Sequence, residues 1–395
     1  MSDGAPGAGR TPGGPEPVRE LTGEALERWD TQAVDVPGGH VLQSRAWAEH
    51  RAAGGWRPRF LAVGSVQALA LVRPWPWLPG GSAYVPRGPV GEGTPWAPAG
   101  GLAGGSDGVA LGAALVAVAT HLAAEGVDVL AADPEVAEGD AAYRATLAGA
   151  GFHAIPEIQP SRHRMSLALP PDGDAVAVMD GVAKATRQRI RRAERDGVCV
   201  VRWDAAPGDL PGAVRPAEAV ESALERFYGL LAATGDRKGF TLGGRAEFTA
   251  WWRRAHAAGH LVYLEARESD PTGDVLGGLV LLRHGRRLST AHSGDRPERR
   301  HDHPGAMHLL RWRAIELALS ERRAEMDLGG VDIAGARRRP EPGEPTYGLY
   351  EHKRSFGAEW VGLVGAQERV SRPWRYAAGR ATSAVARRLG PGTGR

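Results

Sequence analysis

Apolar residues along the chain recur first at every second position and then at every third or fourth, and this order appears twice. In the first half, PRFLAVGSVQALALVRPWPW (58–77) sets two apolar runs around a Gly-Ser turn, which predicts a hairpin. SAYVPRGPV (82–90) predicts a third strand, GVALGAALVAVATHLAAEG (108–126) a helix and VDVLAADPE (127–135) a closing strand. In the second half, HLVYLEARE (260–268) and DVLGGLVLLRH (274–284) form a hairpin around the turn-rich SDPTGD, and RRLSTAH (286–292) adds a strand. The next run, PGAMHLLRWRAIELALSERRA (304–324), spaces Met307, Leu310, Ile315 and Leu317–Leu319 as a helix does, with Pro304 in its first turn. EMDLGGVD (325–332) is a short apolar strand closed by Gly-Gly. Strand, helix and strand in succession imply a covered, partly parallel sheet. Two such series imply an internal duplication of a mixed α/β unit. Both closing strands end on an acidic residue.

Ahead of the first series, VRELTGEALERWDTQAV (18–34) reads as an amphipathic helix. HVLQSRAWAEHRAAGGW (40–56) reads as a second helix, capped by Ser44 and carrying Trp47 and Arg51. Arg51 lies one turn past Trp47, facing a cleft or water. YVPRGPV holds two prolines and a glycine, so it ends as a strand early and offers Tyr84 and Arg87 to a ligand or to a plain turn. In KATRQRIRRAERDGV (184–198) the residues Lys184, Arg187, Arg191 and Arg195 fall on one helical stripe, opposite Ala183, Ile190 and Ala193. That stripe suits phosphates; its alternative is a solvated face.

Composition narrows the class. The chain has 395 residues, 42% of them hydrophobic and 24% charged, as soluble globular proteins do, and two domains are expected. The net charge of +3 does not by itself imply nucleic acid. Cys199 is the sole cysteine, set in the apolar VCVVRW and expected to be a buried hydrophobe, and no disulfide framework follows. Residues 1–17 are Gly/Pro-rich and the apolar run near 109–119 is too short for a bilayer, so a cytoplasmic protein is expected. His301, His303 and His308 lack a regular zinc spacing, and no metal is expected. Only Lys184, Lys238 and Lys353 among the 49 basic residues are lysine, which marks them for sites needing a compact charge. After Gln367 the arginines, with Trp374 and Tyr376, suit RNA or peripheral contact with an anionic membrane surface.

Taken in order, QSRAWAEHRAAGGW, YVPRGPV, IQP, KATRQRIRRAERDGV, RFYGLLAATGDRKGF, HLLRWRAIELA, MDLGGVD and GLYEHKRSFGAEW resemble the Fem-type aminoacyltransferases from about residue 40 to 365. The resemblance implies an α/β fold of two tandem acetyltransferase-like (GNAT) domains with mixed sheets and no coiled-coil arm. It sets a flexible tail at 1–17, a first GNAT-like domain at 18–160 completed by 355–380, a second at 161–354 and a basic tail at 381–395. It implies transfer of an amino acid from aminoacyl-tRNA, the co-substrate in place of a cofactor, to an amine of a nucleotide- or lipid-linked peptidoglycan precursor by a monomer. By motif, Lys353 would meet the tRNA end or stabilise charge at the ester, and Asp295 would orient the attacking amine. Arg51, Tyr84, Arg87, Arg187, Arg191 and His292 would hold the precursor, with His292 standing where members often carry tyrosine. Lys184 and Arg195 extend the basic helix towards tRNA. An activated ester needs positioning and charge stabilisation more than a strong nucleophile. Two alternatives use the same fold: acyl-CoA-dependent N-acylation, and tRNA-dependent aminoacylation of a peptide natural product. For acyl-CoA, the Gly-rich turn of type Q/R-x-x-G-x-G/A fails around Gly305, which has Asp302 before it and Met307 after it. A non-catalytic RNA- or membrane-binding protein is a third reading, and it would bind without turnover.

Overall fold

The computed structural model describes residues 16–91, 108–206, 208–238, 242–331 and 338–389. They form two mixed sheets. The first contains β1 (Arg19–Glu20), β2 (Arg57–Val63), β3 (Val66–Pro74), β4 (Gly81–Val85), β5 (Val90–Gly91), β6 (Val129–Ala132) and β7 (His153–Ala154). The second contains β8 (His163–Ala168), β9 (Cys199–Asp204), β10 (Leu261–Arg267), β11 (Val275–His284), β12 (Arg287–Asp295), β13 (Glu325–Asp327) and β14 (Glu359–Gly362). One more strand, β15 (Gln367–Val370), returns to the first sheet.

The expected duplication is visible in the pairing. The orders are β1-β2-β3-β4-β6-β15-β7, with β5 beside β3, and β9-β10-β11-β12-β13-β8-β14. In each sheet a helix joins the parallel pair: α4 (Gly108–Ala124) between β4 and β6, and α10 (Ala306–Ser320) between β12 and β13. Aligning the repeats exposes an exchange. The strand that follows β7 enters the second sheet between β13 and β14, and the strand that follows β14 enters the first between β6 and β7. The chain therefore crosses back between Gly362 and Gln367, later than the boundary at 354/355 expected from sequence.

Other helices complete the layers. α1 (Gly23–Glu27), α2 (Trp29–Ala33) and α3 (Arg45–Ala53) precede β2, and α5 (Ala141–Gly149) precedes β7. The single helix expected over 18–34 is instead β1 followed by two short helices. Arg19 and Glu20 pair with β2, and Gly23 at φ 55 turns the chain. α6 (Ala175–Gly181) and α7 (Lys184–Arg195) lead into β9. α8 (Val220–Lys238) and α9 (Arg245–Ala257) lead into β10, and α11 (Tyr347–Arg354) and α12 (Pro373–Leu389) flank β14 and β15. Residues 381–389 thus finish a helix rather than start a tail. Among the described residues no helix is long and apolar enough to cross a membrane.

Alternate positions of β10 and β11 bury both faces of the second sheet. Val262, Leu264, Leu279 and Leu281 pack with α7 and α10, whereas Leu261, Tyr263 and Val280 pack with α8 and α9. Val41 and Ala46, from the turn and helix before β2, join this second group, so the lobes share a core. Next to it lies a clasp. Gly285 N–H donates to Val34 O at 2.7 Å, and the His40 and His284 rings sit 4.3 Å apart. Gly285 has φ 54, and a Cβ there would lie 2.5 Å from Gly39 O, so only glycine fits.

Burial pushes His40 down to about 3 and His284 well below its ordinary value, so both are neutral in the fold. The unfolded chain, with ordinary histidines, takes up these protons first as pH falls below about 6.5, and the sign is a loss of stability towards acid. The expected result is a falling thermal midpoint between about pH 6.5 and 4, each histidine contributing up to about 1.4 kcal/mol per pH unit. Calorimetry of the protein and of His40→Gln checks this. Equal slopes in the two would remove His40 from the account.

Candidate active site

Tyr84 and Arg87 stand where β4 leaves the first sheet, and one carboxylate ties them together. Asp133, immediately after β6, accepts from Tyr84 Oη at 2.9 Å and from the Arg87 backbone N–H at 2.8 Å through the same oxygen. Gln159 Nε2 donates to Tyr84 Oη at 2.9 Å, and Arg87 Nη2 donates to Ser161 O at 2.8 Å. Arg87 holds φ 50, a left-handed conformation that costs a non-glycine residue about 1–2 kcal/mol. The other Asp133 oxygen is buried without a partner among the described residues. Burial pushes the Asp133 carboxyl above its usual range and the Tyr84 phenol well above its own.

Arg51 is half-buried between two tryptophans rather than solvated. Its guanidinium lies 5.4 and 5.2 Å from the Trp47 and Trp56 ring centroids and 3.6 Å from Glu247 of α9. Its Nε is buried without a partner among the described residues.

Between the lobes runs a buried ionic network. Glu135 meets Arg287 closely, Arg164 at 3.4 Å and His40 at 3.8 Å. Burial opposes its ionisation, but the Arg287 and Arg164 guanidiniums outweigh burial and hold the carboxyl well below its usual range. Arg164 also meets Glu325, which accepts from Ser166 Oγ at 3.0 Å.

The second lobe has an opening in its sheet. β12 and β13 pair in parallel only from Arg287 with Glu325 to Ser289 with Asp327, where the ladder ends while β12 runs on to Asp295. A bulge opposite Val280 and Leu281 leaves Ala291 out of the ladder with β11. At the mouth, Gly329 has φ 79, and a Cβ there would lie 3.0 Å from Thr290 O and 3.5 Å from Lys353 Nζ. Lys353, only 4% exposed, donates to Gly329 O at 2.9 Å and Gly330 O at 2.5 Å. The Gly-Gly pair of MDLGGVD is thus what lets a buried ammonium approach the backbone. Asp327, at the same fork, takes the Gly329 N–H at 2.7 Å, and burial raises its carboxyl.

His292 follows on β12, 5.5 Å from Phe248 and 5.6 Å from Trp252. Asp295 ends the strand inside an arginine clamp, with Arg300 at 2.5 and 2.8 Å and Arg237 at 3.5 Å. A carboxylate so neutralised is poorly suited to orient an amine, which corrects the expectation for Asp295.

The basic helix divides into two kinds of residue. Arg187 turns back along the chain and donates to Asp180 O at 2.9 Å and Val182 O at 2.8 Å, closing the C-terminus of α6. This corrects its reading as a phosphate ligand. Lys184, Arg191 and Arg195 are exposed, and no side-chain partner binds them among the described residues. Arg187→Ala is expected to lower stability by about 1–2 kcal/mol. Arg191→Ala with Arg195→Ala should leave the melting temperature alone and, were this stripe to follow an RNA backbone, flatten the salt dependence of that binding by about one unit of slope per residue. Fluorescence anisotropy over a salt series measures the second effect.

Sequence reasoning missed Asp133, Asp327 and the arginines that set the interlobe charge. A signal for the two carboxyls was present, since both closing strands end on an acid. Arg164 and Arg287 gave none, standing in a chain where arginine is the default cation.

Residues 181–354 match the family described as acetyltransferase (GNAT) domain. The crystal structure of FemX superposes with a TM-score of 0.70 at 18% identity, over 92% of this chain and 99% of that one. The chain has the FemX fold. L-PGS from Bacillus licheniformis superposes at 0.46, with 12% identity over 85% of this chain and 90% of that one. A tandem GNAT protein from the clavulanic acid biosynthesis pathway superposes at 0.42, with 15% identity over 81% and 84%. No curated protein matches the sequence. Within the FemX-like fold, the sheet opening at Lys353 lies in the GNAT-matched half, and Tyr84, Arg87 and Asp133 lie in the other.

Proposed function

We propose that this protein transfers an aminoacyl group from aminoacyl-tRNA to an amine on the stem peptide of a peptidoglycan precursor, building the interpeptide bridge. The observation that carries the reading is the sheet opening between β12 and β13, with Lys353 buried behind its Gly-Gly rim, in a chain that follows FemX over 92% of its length. The amine attacks the ester carbonyl, a C–N bond forms, and the C–O bond to the ribose breaks. The amine gives up a proton, and the ribose oxygen takes one as it leaves.

Asp133 is placed to accept the amine proton, because a carboxyl with a raised affinity and an unoccupied oxygen is a better base than a clamped one. Tyr84, Arg87 and Arg51 hold the acceptor beside it. Lys353 fixes the Gly329–Gly330 turn and sets positive charge at the ester, while Lys184, Arg191 and Arg195 follow the RNA backbone. The protein works in the cytoplasm as a monomer, and α12 gives it peripheral contact with the membrane that bears a lipid-linked acceptor.

The alternative of acyl-CoA draws on the GNAT match. Against it, the start of α10 is packed on α7. A Cβ on Gly305 would lie 2.1 Å from Arg189 O, where a pyrophosphate loop needs room. A panel of charged tRNAs with nucleotide-linked and lipid-linked precursors, read by transfer of labelled amino acid, is the test. Product from an acyl-CoA and none from any charged tRNA would replace this reading with the alternative.

A further inference from the structure

Among the described residues the buried arginines have carboxylate partners, with one exception. Arg164 meets Glu135 and Glu325, Arg202 meets Asp204, Arg267 meets Glu265, Arg283 meets Asp204 and Glu321, and Arg287 meets Glu135. Arg311, in the middle of α10 and 3% exposed, has none. Its Nε and Nη1 are buried without any hydrogen-bond partner among the described residues. With no acid nearby, burial alone lowers it to about 10.

The groups around it are also basic. From α7, Arg189 Nη1 comes within 3.3 Å of His308 Nε2. The His308 ring meets the His352 ring of α11 edge-on at 4.7 Å, and His308 Nδ1 is buried and unpartnered. Lys353 is the next residue along α11. Burial, then Arg311, His308, Lys353 and Arg189, push His352 down to about 2, and burial with Arg189 and Arg311 pushes His308 down to about 4. Three helices therefore converge on unneutralised donors, next to the lysine at the sheet opening. A guanidinium largely withdrawn from water and given no carboxylate is a site awaiting an anion.

We propose that Arg311, with Arg189, His308 and His352, binds a phosphate group of the acyl donor. The planar fork of Arg311 suits two oxygens of one phosphate, and the neutral histidine rings each offer one N–H. Taking that phosphate as the terminal phosphodiester of an RNA acceptor end rests on the proposed aminoacyl-tRNA reading. The anion site itself does not, since the pyrophosphate of an acyl-CoA has the same chemistry.

The experiment is calorimetric titration of the full chain with a CCA-ended RNA microhelix, with coenzyme A and with inorganic pyrophosphate, alongside Arg311→Met and Arg311→Lys. Arg311→Met is expected to weaken binding of the true donor by about tenfold or more, and Arg311→Lys to restore part of it. The melting temperature of unliganded Arg311→Met should hold or rise, because a buried charge without a partner is removed. Weakened RNA binding supports the site and the RNA donor together. Weakened coenzyme A binding with none for RNA supports the site and overturns the tRNA reading. Unchanged affinity for all three probes, or a lowered melting temperature in the unliganded variant, overturns the site.

Discussion

A chain ending at Gly362 is expected to lose the first lobe while keeping the second. The cut removes β15, whose residues from Gln367 to Val370 pair with Ala132 to Val129 on one side and with β7 on the other. β7 then has no neighbour, and β6 becomes an exposed edge. Asp128 loses more. It is fully buried, accepts from Trp75 Nε1 at 2.7 Å, and has Arg375 at 3.2 Å and Arg372 at 3.6 Å, both in the deleted segment. Stripping the cations from a buried carboxylate costs about 3–5 kcal/mol, and the core also loses Leu363, Val364 and Ala366. Against a typical stability of about 5–15 kcal/mol, the first sheet should not survive. The second sheet keeps every strand, since β8 to β14 all lie before the cut. Limited proteolysis should find cleavage at the first-sheet strands, from β2 to β7, and protection of the second-sheet strands β8 to β14. A truncated protein that melts in one transition at the full-length temperature would show that the exchanged strand is dispensable.

The second large effect belongs to Lys353. Lys353→Ala is expected to lower kcat/KM for the proposed transfer by about a hundredfold to a thousandfold, the range seen when a positioned donor at a developing charge is removed. It should also reduce stability by about 1–3 kcal/mol, because the Gly329 and Gly330 carbonyls lose their buried donor. Lys353→Arg should fail as well, since a planar fork does not replace a compact ammonium held this close to two carbonyls. Steady-state kinetics with charged tRNA, beside a thermal melt, separate the two effects. An unchanged kcat/KM in Lys353→Ala would remove the residue from the site whatever happens to the melt.

Much of the fold could be read from apolar spacing. Both hairpins, both crossover helices and the parallel pairs they join stand within a few residues of their expected places, because long amphipathic periods leave little choice. Ser44 caps α3 as expected, accepting from the Trp47 N–H at 3.0 Å. What escaped was decided by distant partners. β15 spells QERV, which has no strand period, and takes its conformation from the edges of β6 and β7. Arg187 fits a cationic stripe on any helical wheel, yet three carbonyls at the end of α6 claim it. Lys353 stood out by rarity, but nothing local showed that it would sit under residues 24 positions earlier. Arg311 was one more apolar-face interruption in a helix until its surroundings could be seen to lack an acid.

The joint between the lobes has a bearing on how substrates get in. Helix α3 shares a hydrophobic core with α8 and α9, Gly285 is seated against Gly39, and Glu135 locks charges from both halves out of water. Such a seam resists jaw-like opening, because parting it would expose apolar surface and strand buried ions together. The two substrates of the proposed transfer would then have to meet without the lobes parting, so selectivity would rest on fixed contours more than on any closing stroke.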